Sequence, residues 1–216
     1  MTTSLKKQLE KTHSGFTSSA PQDVQNVIND GIKALAESDL IKNVIQKGQK
    51  APDFTLVNSV GEKIKLYDEL KKGRIILTWY RGGWCPYCNL QLQFMQRSLS
   101  TFKELGANLI ALTPEKPDGS LSTKEKMELE FEVLSDLDST VAKSYGLTFK
   151  LTDEVSHLYK NTFGLDLAEF NDNNSDELPI PATYIINQDA TVEYAYINAD
   201  YTQRAEPVDI IKELKK

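Results

Sequence analysis

The sequence predicts an α/β fold in which helices flank a mixed central sheet, with a helical extension at the N-terminus. From Gly48 onward, short runs of β-branched and aromatic residues alternate with helical patterns. One run, Ile75-Ile76-Leu77, is apolar throughout, which is typical of a central strand buried on both faces. Before Gly48 the periodicity is helical only. We therefore expect a helical extension at residues 1–47 and a single α/β domain at residues 48–216.

The composition argues against several classes of protein. The 216 residues are 40% hydrophobic, which suffices for a buried core without disulfide bonds. The net charge of −6 offers no basic field to a phosphate backbone, so nucleic acid is not an expected partner. No N-terminal run resembles a signal peptide, and no apolar stretch approaches the ~20 residues that span a bilayer. We expect a cytoplasmic protein that does not associate with membranes.

The N-terminal extension has the pattern of two helices. Its apolar residues recur at helical spacing, and Pro21 stands where a first helical turn accepts proline. The residues of this apolar pattern are Val24, Val27, Ile28, Ile32 and Leu35. We expect a helical hairpin that packs on the core or joins two copies into a homodimer. It contains no nucleophile or metal-ligand cluster, so no catalytic role is expected.

The rest of the chain alternates strands and helices. Predicted strands cover residues 55–57, 74–80, 108–113, 131–134, 183–186 and 192–197, the last two forming a hairpin. Predicted helices cover residues 85–102, 139–145 and 153–163, and a terminal helix begins at Glu206-Pro207. Asp138 is the expected cap of the second helix, and Gly146 and Gly164 are expected helix stops.

The two cysteines form a Cys85-Pro86-Tyr87-Cys88 motif between a buried strand and a helix. Unpaired N–H groups and the dipole at a helix N-terminus stabilise an anion, and Arg81 adds a cation, so we expect a depressed pKa at Cys85. Cys88 lies one turn on along the same face and is expected to be more buried and less acidic. Gly82 and Gly83 allow a sharp turn that leaves the thiolate open, and Trp84 is expected to shape the thiol pocket.

Three roles without redox chemistry have weaker support for the cysteine pair. A structural zinc site would need more ligands, and His13 and His157 do not stand at zinc-finger spacing. Two inert core cysteines would not need this spacing at a strand-to-helix junction, although free cysteines are often buried. Acyl transfer needs a base beside the thiol, for which the sequence offers no candidate. We therefore expect thiol redox chemistry, with neither a metal nor a cofactor.

Several blocks in order resemble a known family. They are residues 48–54, the strand at 75–80 with the segment Arg81–Cys88, residues 131–136, and residues 181–186. Together they are similar to the peroxiredoxin-like branch of the alkyl hydroperoxide reductase C/thiol-specific antioxidant (AhpC/TSA) family, over roughly residues 48–216. The resemblance implies a thioredoxin-like fold and thiol-dependent reduction of hydroperoxides.

The resemblance also implies a role for each cysteine. Cys85 matches the cysteine that attacks the peroxide and becomes a sulfenic acid. Cys88 would then form an intramolecular disulfide with it, and thioredoxin, glutaredoxin or glutathione would reduce that disulfide.

The chain departs from the family pattern at three places. Thr78 stands at the place of the family's proline, Gly82 at the place of its threonine, and Pro181 at the place of an arginine before a late strand. Arg81 and the N–H groups of the helix start are the candidates to replace the missing groups. Pro181 also resembles the cis-proline of thioredoxins, so a cis bond is expected there.

Two further functions stay open at the level of sequence. The cysteine motif with Pro181 suits a protein or glutathione disulfide oxidoreductase. A non-catalytic binding or scaffold protein that uses its N-terminal helices is the third possibility.

Overall fold

The structure of the protein is a computed structural model that covers residues 4–216. A seven-stranded mixed sheet flanked by helices confirms the predicted α/β, thioredoxin-like fold, and a two-stranded sheet lies beside it. The strands are β1 (Thr55–Asn58), β2 (Lys63–Lys65), β3 (Arg74–Trp79), β4 (Ala107–Thr113), β5 (Glu132–Ser135), β6 (Thr148–Lys150), β7 (Glu177–Pro179), β8 (Ala182–Ile186) and β9 (Val192–Ile197). Their order in the large sheet is β2-β1-β5-β4-β3-β8-β9, and β6 pairs with β7.

The helices cover both faces of the large sheet. They are α1 (Leu5–Ser19), α2 (Gln22–Glu37), α3 (Leu66–Leu70), α4 (Pro86–Arg97), α5 (Leu99–Glu104), α6 (Pro117–Lys126), α7 (Thr140–Ser144), α8 (Asp153–Asn161), α9 (Leu167–Asn171) and α10 (Pro207–Leu214). Short 3₁₀ turns lie at Asp39–Lys42 and Leu137–Ser139. Within residues 4–216, none of these helices combines the length and the apolar character needed to cross a membrane.

Strand β3 lies at the centre of the sheet, as its apolar run predicts. It pairs in parallel with β4 and antiparallel with β8. Residues 75–79 of this strand are fully buried, because one face packs on each of two hydrophobic clusters. A central buried strand holds its C-terminal end rigidly, and the cysteine motif follows directly after that end.

Two predicted helices differ from the structure. The helix expected over residues 85–102 is two helices, because Ser98 adopts φ −100° and ψ 0° and its N–H turns back to the carbonyl of Met95. The expected cap Asp138 is also wrong. Asp136 accepts hydrogen bonds from the N–H groups of Val141 and Ala142 instead, both at 2.8 Å. Gly146 ends α7 at φ 72° as predicted.

The N-terminal helices pack on their own chain. Helix α1 lies on α4, and its Leu5 and Leu9 belong to the same hydrophobic cluster as Cys85 and Cys88. Helix α2 lies on α8 and shares a cluster with it. Because both helices contribute to cores of the main fold, the domain boundary at residues 47/48 stays a prediction.

The peptide bond before Pro181 is trans. No peptide bond in the described part of the chain is cis, so the expected cis-proline is wrong. The segment Pro179-Ile180-Pro181 runs extended from β7 into β8, and the Ile180 N–H donates to the carbonyl of Leu147 at 2.7 Å. The residues before Ala182 therefore do not form a sharp turn.

Candidate active site

The cysteine motif lies where β3 passes into α4. Cys85 is the N-cap residue of α4, with Pro86 in the first turn. Its N–H donates to the Gly82 carbonyl at 3.1 Å, and its own carbonyl accepts from Asn89 at 3.0 Å. Both glycines are required by close approach. A Cβ atom would overlap the Trp84 indole at Gly82 and the Thr123 hydroxyl at Gly83.

The two sulfur atoms lie together and are not bonded to each other. Both cysteines are free and almost fully buried, and each lies close enough to the other to shift its pKa. Cys88 Sγ also accepts a hydrogen bond of 3.3 Å from Arg204 Nη2. Although the exposed fraction of Cys85 is only 1%, it lines a cavity, whereas Cys88 is sealed at 0%. Cys85 is therefore the cysteine that a small molecule in the cavity can reach.

The order of the two pKa values is the reverse of the expected one. Burial raises the pKa of the Cys85 thiol, and its hydrogen bond to Cys88 raises it further. Burial also disfavours ionised Cys88, but the hydrogen bond from Cys85 and the charges of Arg204 and Arg81 outweigh it. They hold the pKa of Cys88 well below its ordinary value. Of the two thiols, Cys88 is thus the one whose ionised form is favoured by its surroundings.

Arg81 is enclosed by aromatic rings. Its guanidinium carbon lies 4.0 Å from the ring centre of Tyr201, 5.0 Å from that of Trp84 and 5.5 Å from that of Tyr159. Its Nη2 donates to the Tyr159 hydroxyl. The side chain is only 2% exposed, and its Nε has no hydrogen-bond partner within residues 4–216. A buried cation with a spare donor therefore stands beside the cysteines, as the sequence suggested for Arg81.

The second cation, Arg204, was missed in the sequence. It lies in the segment between β9 and α10, which is shaped by side chains that cap their own backbone. Asn198 Oδ1 accepts from the Asp200 N–H, and Asp200 Oδ1 accepts from the N–H of Thr202, both at 2.9 Å. Arg204 is anchored by the carbonyls of Tyr201 and Gln203. The turn residues are visible in the sequence, but nothing there indicates that the turn reaches a cysteine 116 positions earlier.

Glu115, just after β4, is a buried acid at the back of the motif. Its Oε2 accepts a 3.0 Å hydrogen bond from the Gly83 N–H, and the residue is 2% exposed. Burial raises the pKa of this carboxyl to about 7, against the effect of the Gly83 hydrogen bond, and the nearby Cys88 charge raises it further. Glu115 can therefore exchange a proton near neutral pH. It too was missed, because a lone glutamate after a strand has no distinguishing pattern.

The three residues that depart from the family pattern lie in different parts of the structure. Thr78 lies inside the sheet, where its hydroxyl donates to the Ala182 carbonyl at 3.1 Å and lies 2.9 Å from that of Thr183. Gly82 underlies the Trp84 ring. Pro181 is buried but is not among the residues of the described chain that line the cavity at Cys85. The cations at the site are instead Arg81 and Arg204.

Aromatic side chains make up much of the remaining site. Among residues 4–216, no group of three or more His, Cys, Asp or Glu side chains could hold a metal ion. Trp84 makes an edge-to-face contact with Tyr159 at 5.8 Å and forms part of the cavity wall next to Cys85. The arrangement comprises a reachable thiol, a buried thiolate, two guanidinium groups and an acid that titrates near neutrality.

Comparison with known proteins identifies the family. The model of the AhpC/TSA family matches residues 47–195. The chain belongs to the AhpC/TSA family. Helices α1 and α2 lie before the matched segment, and α10 lies after it.

Relatives of this AhpC/TSA protein include two kinds of thiol enzyme. The peroxiredoxin bcp of Coxiella burnetii is 34% identical over 103 residues, which are 48% of this chain and 68% of that protein. The thiol-disulfide oxidoreductase ResA of Bacillus cereus is 32% identical over 101 residues, 46% of this chain and 57% of ResA. The AhpC/TSA protein is a thiol-dependent oxidoreductase of peroxiredoxin type.

A solved structure supports the fold of this AhpC/TSA protein independently. Peroxidoxin BcpB of Mycobacterium tuberculosis superposes with a TM-score of 0.62 and covers 79% of this chain and 97% of its own, at 17% identity. At that identity the likeness establishes the fold alone.

Proposed function

We propose that this protein is a thiol peroxidase in which Cys85 reduces a hydroperoxide and Cys88 resolves the product. The observation that carries the proposal is the difference in access between the two sulfurs. Cys85 lines the cavity, and Cys88, sealed behind it, accepts a hydrogen bond from Arg204. Peroxiredoxin relatives support a peroxidase as the type of activity.

The reaction begins with a proton transfer inside the pair. The Cys85 proton moves to the neighbouring Cys88 thiolate, so that the reachable sulfur becomes the anion without a net charge being moved into the interior. The Cys85 thiolate then attacks the terminal peroxide oxygen, and the O–O bond breaks. Sulfur loses two electrons and becomes a sulfenic acid, while the leaving alkoxide or hydroxide takes a proton. Glu115, which is hydrogen-bonded to the Gly83 N–H and has a pKa of about 7, has a proton to give at neutral pH and is the acid that we assign to this step.

Resolution consumes the second thiol. The Cys88 sulfur attacks the Cys85 sulfenic acid, a disulfide forms, and one water leaves with the Cys88 proton. The whole turnover converts a dithiol and a hydroperoxide into a disulfide, an alcohol or water, and water. An external thiol system, either thioredoxin, glutaredoxin or glutathione, returns the disulfide to the dithiol by exchange. Arg81 and Arg204 stabilise the anionic sulfur in the reduced state.

A disulfide oxidoreductase is the second candidate. It is favoured by the spacing of the cysteines at the start of α4 and by the ResA relatives. In that function Cys85 would attack a protein or glutathione disulfide rather than a peroxide. In this chain Thr78, Gly82 and Pro181 stand at the places of the family's proline, threonine and arginine. Because the residues usual in the family are missing there, the second candidate has to be tested beside the first.

Rapid mixing of the reduced protein with one equivalent of hydroperoxide separates the candidates. Tryptophan fluorescence reports the reaction because Trp84 adjoins Cys85. We expect fast disulfide formation in the wild type, a sulfenic acid that accumulates in Cys88→Ser, and no reaction in Cys85→Ser. Oxidation no faster than that of a free thiol, together with rapid exchange with a protein disulfide, would establish the second candidate. Inertness in both assays would favour a non-catalytic binding protein.

We also propose the partners and the place of the reaction. The reductant is identified by supplying thioredoxin, glutaredoxin and glutathione separately to the oxidised protein. A cytoplasmic location suits a dithiol that must be reduced after each turnover.

A homodimer stays a prediction. The buried leucines of α1 face their own chain, so a dimer would use other surfaces, and light scattering on the full chain measures it.

A further inference from the structure

An apolar cavity opens beside Cys85, and part of its wall comes from outside the segment matched by the family. It has a volume of about 250 Å³. Most of its lining is aromatic or aliphatic, including Phe16, Ile28, Trp84, Tyr159, Phe163 and Leu165. Thr12 and Phe16 belong to α1 and Ile28 to α2, whereas the family match begins at residue 47.

The size and lining of the cavity exceed what hydrogen peroxide needs. A dry cavity of ~150 Å³ holds a benzene ring, so this one can take a ring with a short substituent. Apolar walls offer no hydrogen bonds to a small polar peroxide, but they favour transfer of an apolar group from water in proportion to the area buried. The cavity therefore suits a substrate with a compact apolar group.

Charge and hydrogen bonding define the other end of the substrate. Arg81 lines the cavity, is 2% exposed, and has an Nε without a partner in the described chain. The site thus has a spare donor for a peroxide oxygen.

We propose that helices α1 and α2 complete a binding cavity for the apolar group of an organic hydroperoxide, and thereby set the substrate preference at Cys85. This inference rests on the proposed peroxidase function. With the apolar group in the cavity, the hydroperoxide faces the Cys85 sulfur. Its O–O bond breaks as in the turnover above, giving the sulfenic acid and the organic alcohol.

The test fills the cavity from α1 without touching a cysteine or an arginine. Cumene hydroperoxide and hydrogen peroxide are compared by kcat/KM in the wild type, Thr12→Phe and Thr12→Ala. We expect the wild type to prefer cumene hydroperoxide, and Thr12→Phe to lower the ratio of the two kcat/KM values by roughly tenfold or more. Thr12→Ala keeps the cavity open, so its ratio should not fall below that of the wild type. Ser14→Phe, an exposed position of α1 outside the cavity lining, adds the same ring and should also keep it.

A binding measurement gives a second readout that does not depend on turnover. Titration of cumyl alcohol, the product, into Cys85→Ser should change Trp84 fluorescence, and adding Thr12→Phe to that variant should abolish the change. The inference is overturned if hydrogen peroxide and cumene hydroperoxide are both reduced, yet Thr12→Phe leaves their ratio and cumyl alcohol binding unaltered. If neither peroxide oxidises the wild type faster than a free thiol, the peroxidase function fails instead. Alcohol binding that Thr12→Phe abolishes would even then support the cavity.

Discussion

Charged or ionisable side chains from three parts of the chain surround the cysteine pair. Arg81 precedes the motif, Arg204 follows the last strand and Glu115 follows β4, while Cys88 carries the negative charge among them. Each of these groups is almost fully buried. Buried charges persist only when they are paired, so each of these side chains depends on the ionisation of the others.

Glu115 makes stability depend on pH in a predictable direction. Its pKa is about 7 in the folded protein, against the ordinary 4.5 expected when the chain is unfolded. A raised pKa in an acid means that the folded state favours the protonated form. Stability from this group is therefore full below about pH 4.5 and is lost as the pH rises through 7. We expect the free energy of unfolding of the wild type to fall by about 3 kcal/mol relative to Glu115→Gln over that range.

Urea unfolding at a series of pH values measures this difference. The amide introduced by Glu115→Gln can still accept the hydrogen bond from Gly83, so the comparison isolates the titration of the carboxyl. Exposed Glu10→Gln serves as the control and should follow the wild type at every pH. Parallel pH profiles for the wild type and Glu115→Gln would show that Glu115 does not titrate in this window.

At the scale of elements, α1 is part of the same core as α4, the helix that begins at the cysteine motif. Leu9 is 5% exposed and belongs to the cluster that contains Cys88, Leu92 and Met95 of α4. Helix α1 has a side-chain cap at Ser4, but a helix of this length gains most of its stability from packing. The extension is therefore a support for the site as well as a wall of the cavity.

Removing one buried side chain from α1 tests this support. We expect Leu9→Ala to lower the free energy of unfolding by about 2–5 kcal/mol, because it leaves a cavity against α4. Lys11→Ala, an exposed position of the same helix, should change it by less than about 0.5 kcal/mol. Chemical denaturation of both variants measures the values. Equal stabilities would mean that α1 is held only loosely on the domain.

For the whole molecule, oxidation should weaken the fold. The disulfide removes the thiolate that interacts with Arg81 and Arg204 in the interior. Breaking a buried ion pair costs about 3–5 kcal/mol, whereas closing so short a loop contributes about 2 kcal/mol. The loss exceeds the gain. We expect the oxidised protein to melt several degrees below the reduced one, since a chain of this size loses about 2–4 °C per kcal/mol.

Calorimetry with and without a reductant makes the comparison, and Arg204→Met provides the control. Without this cation the reduced state loses its advantage, so the gap between the two melting temperatures should shrink. An oxidised wild type that melts above the reduced protein would contradict the prediction. A disulfide that destabilises the fold is also easy to reduce, which suits an enzyme that must be reset after each turnover.

Local patterns in the sequence were sufficient for six of the strands of the large sheet and for the reactive motif, but the short elements β2, β6, β7, α3, α6 and α9 were missed. Strands such as β3 and β9 and the start of α4 follow from runs and turns of adjacent residues, because hydrophobic periodicity and capping act over a few positions. The helix break at Ser98 was missed because the apolar spacing continues through it. The local patterns also placed both cysteines at a strand-to-helix junction and Arg81 beside them.

Only the tertiary structure decided the state of the two sulfurs. Arg204 and Glu115 lie far from the motif in sequence, and their effect depends on distance and burial, which no local pattern encodes. The helix dipole visible in the sequence favoured ionised Cys85, but desolvation and the contacts of Cys88 reverse that order. The cavity formed with α1 and α2 likewise exists only because residues distant along the chain pack together. The reactive groups therefore follow from neighbouring residues, whereas their charge and selectivity depend on how the chain folds around them.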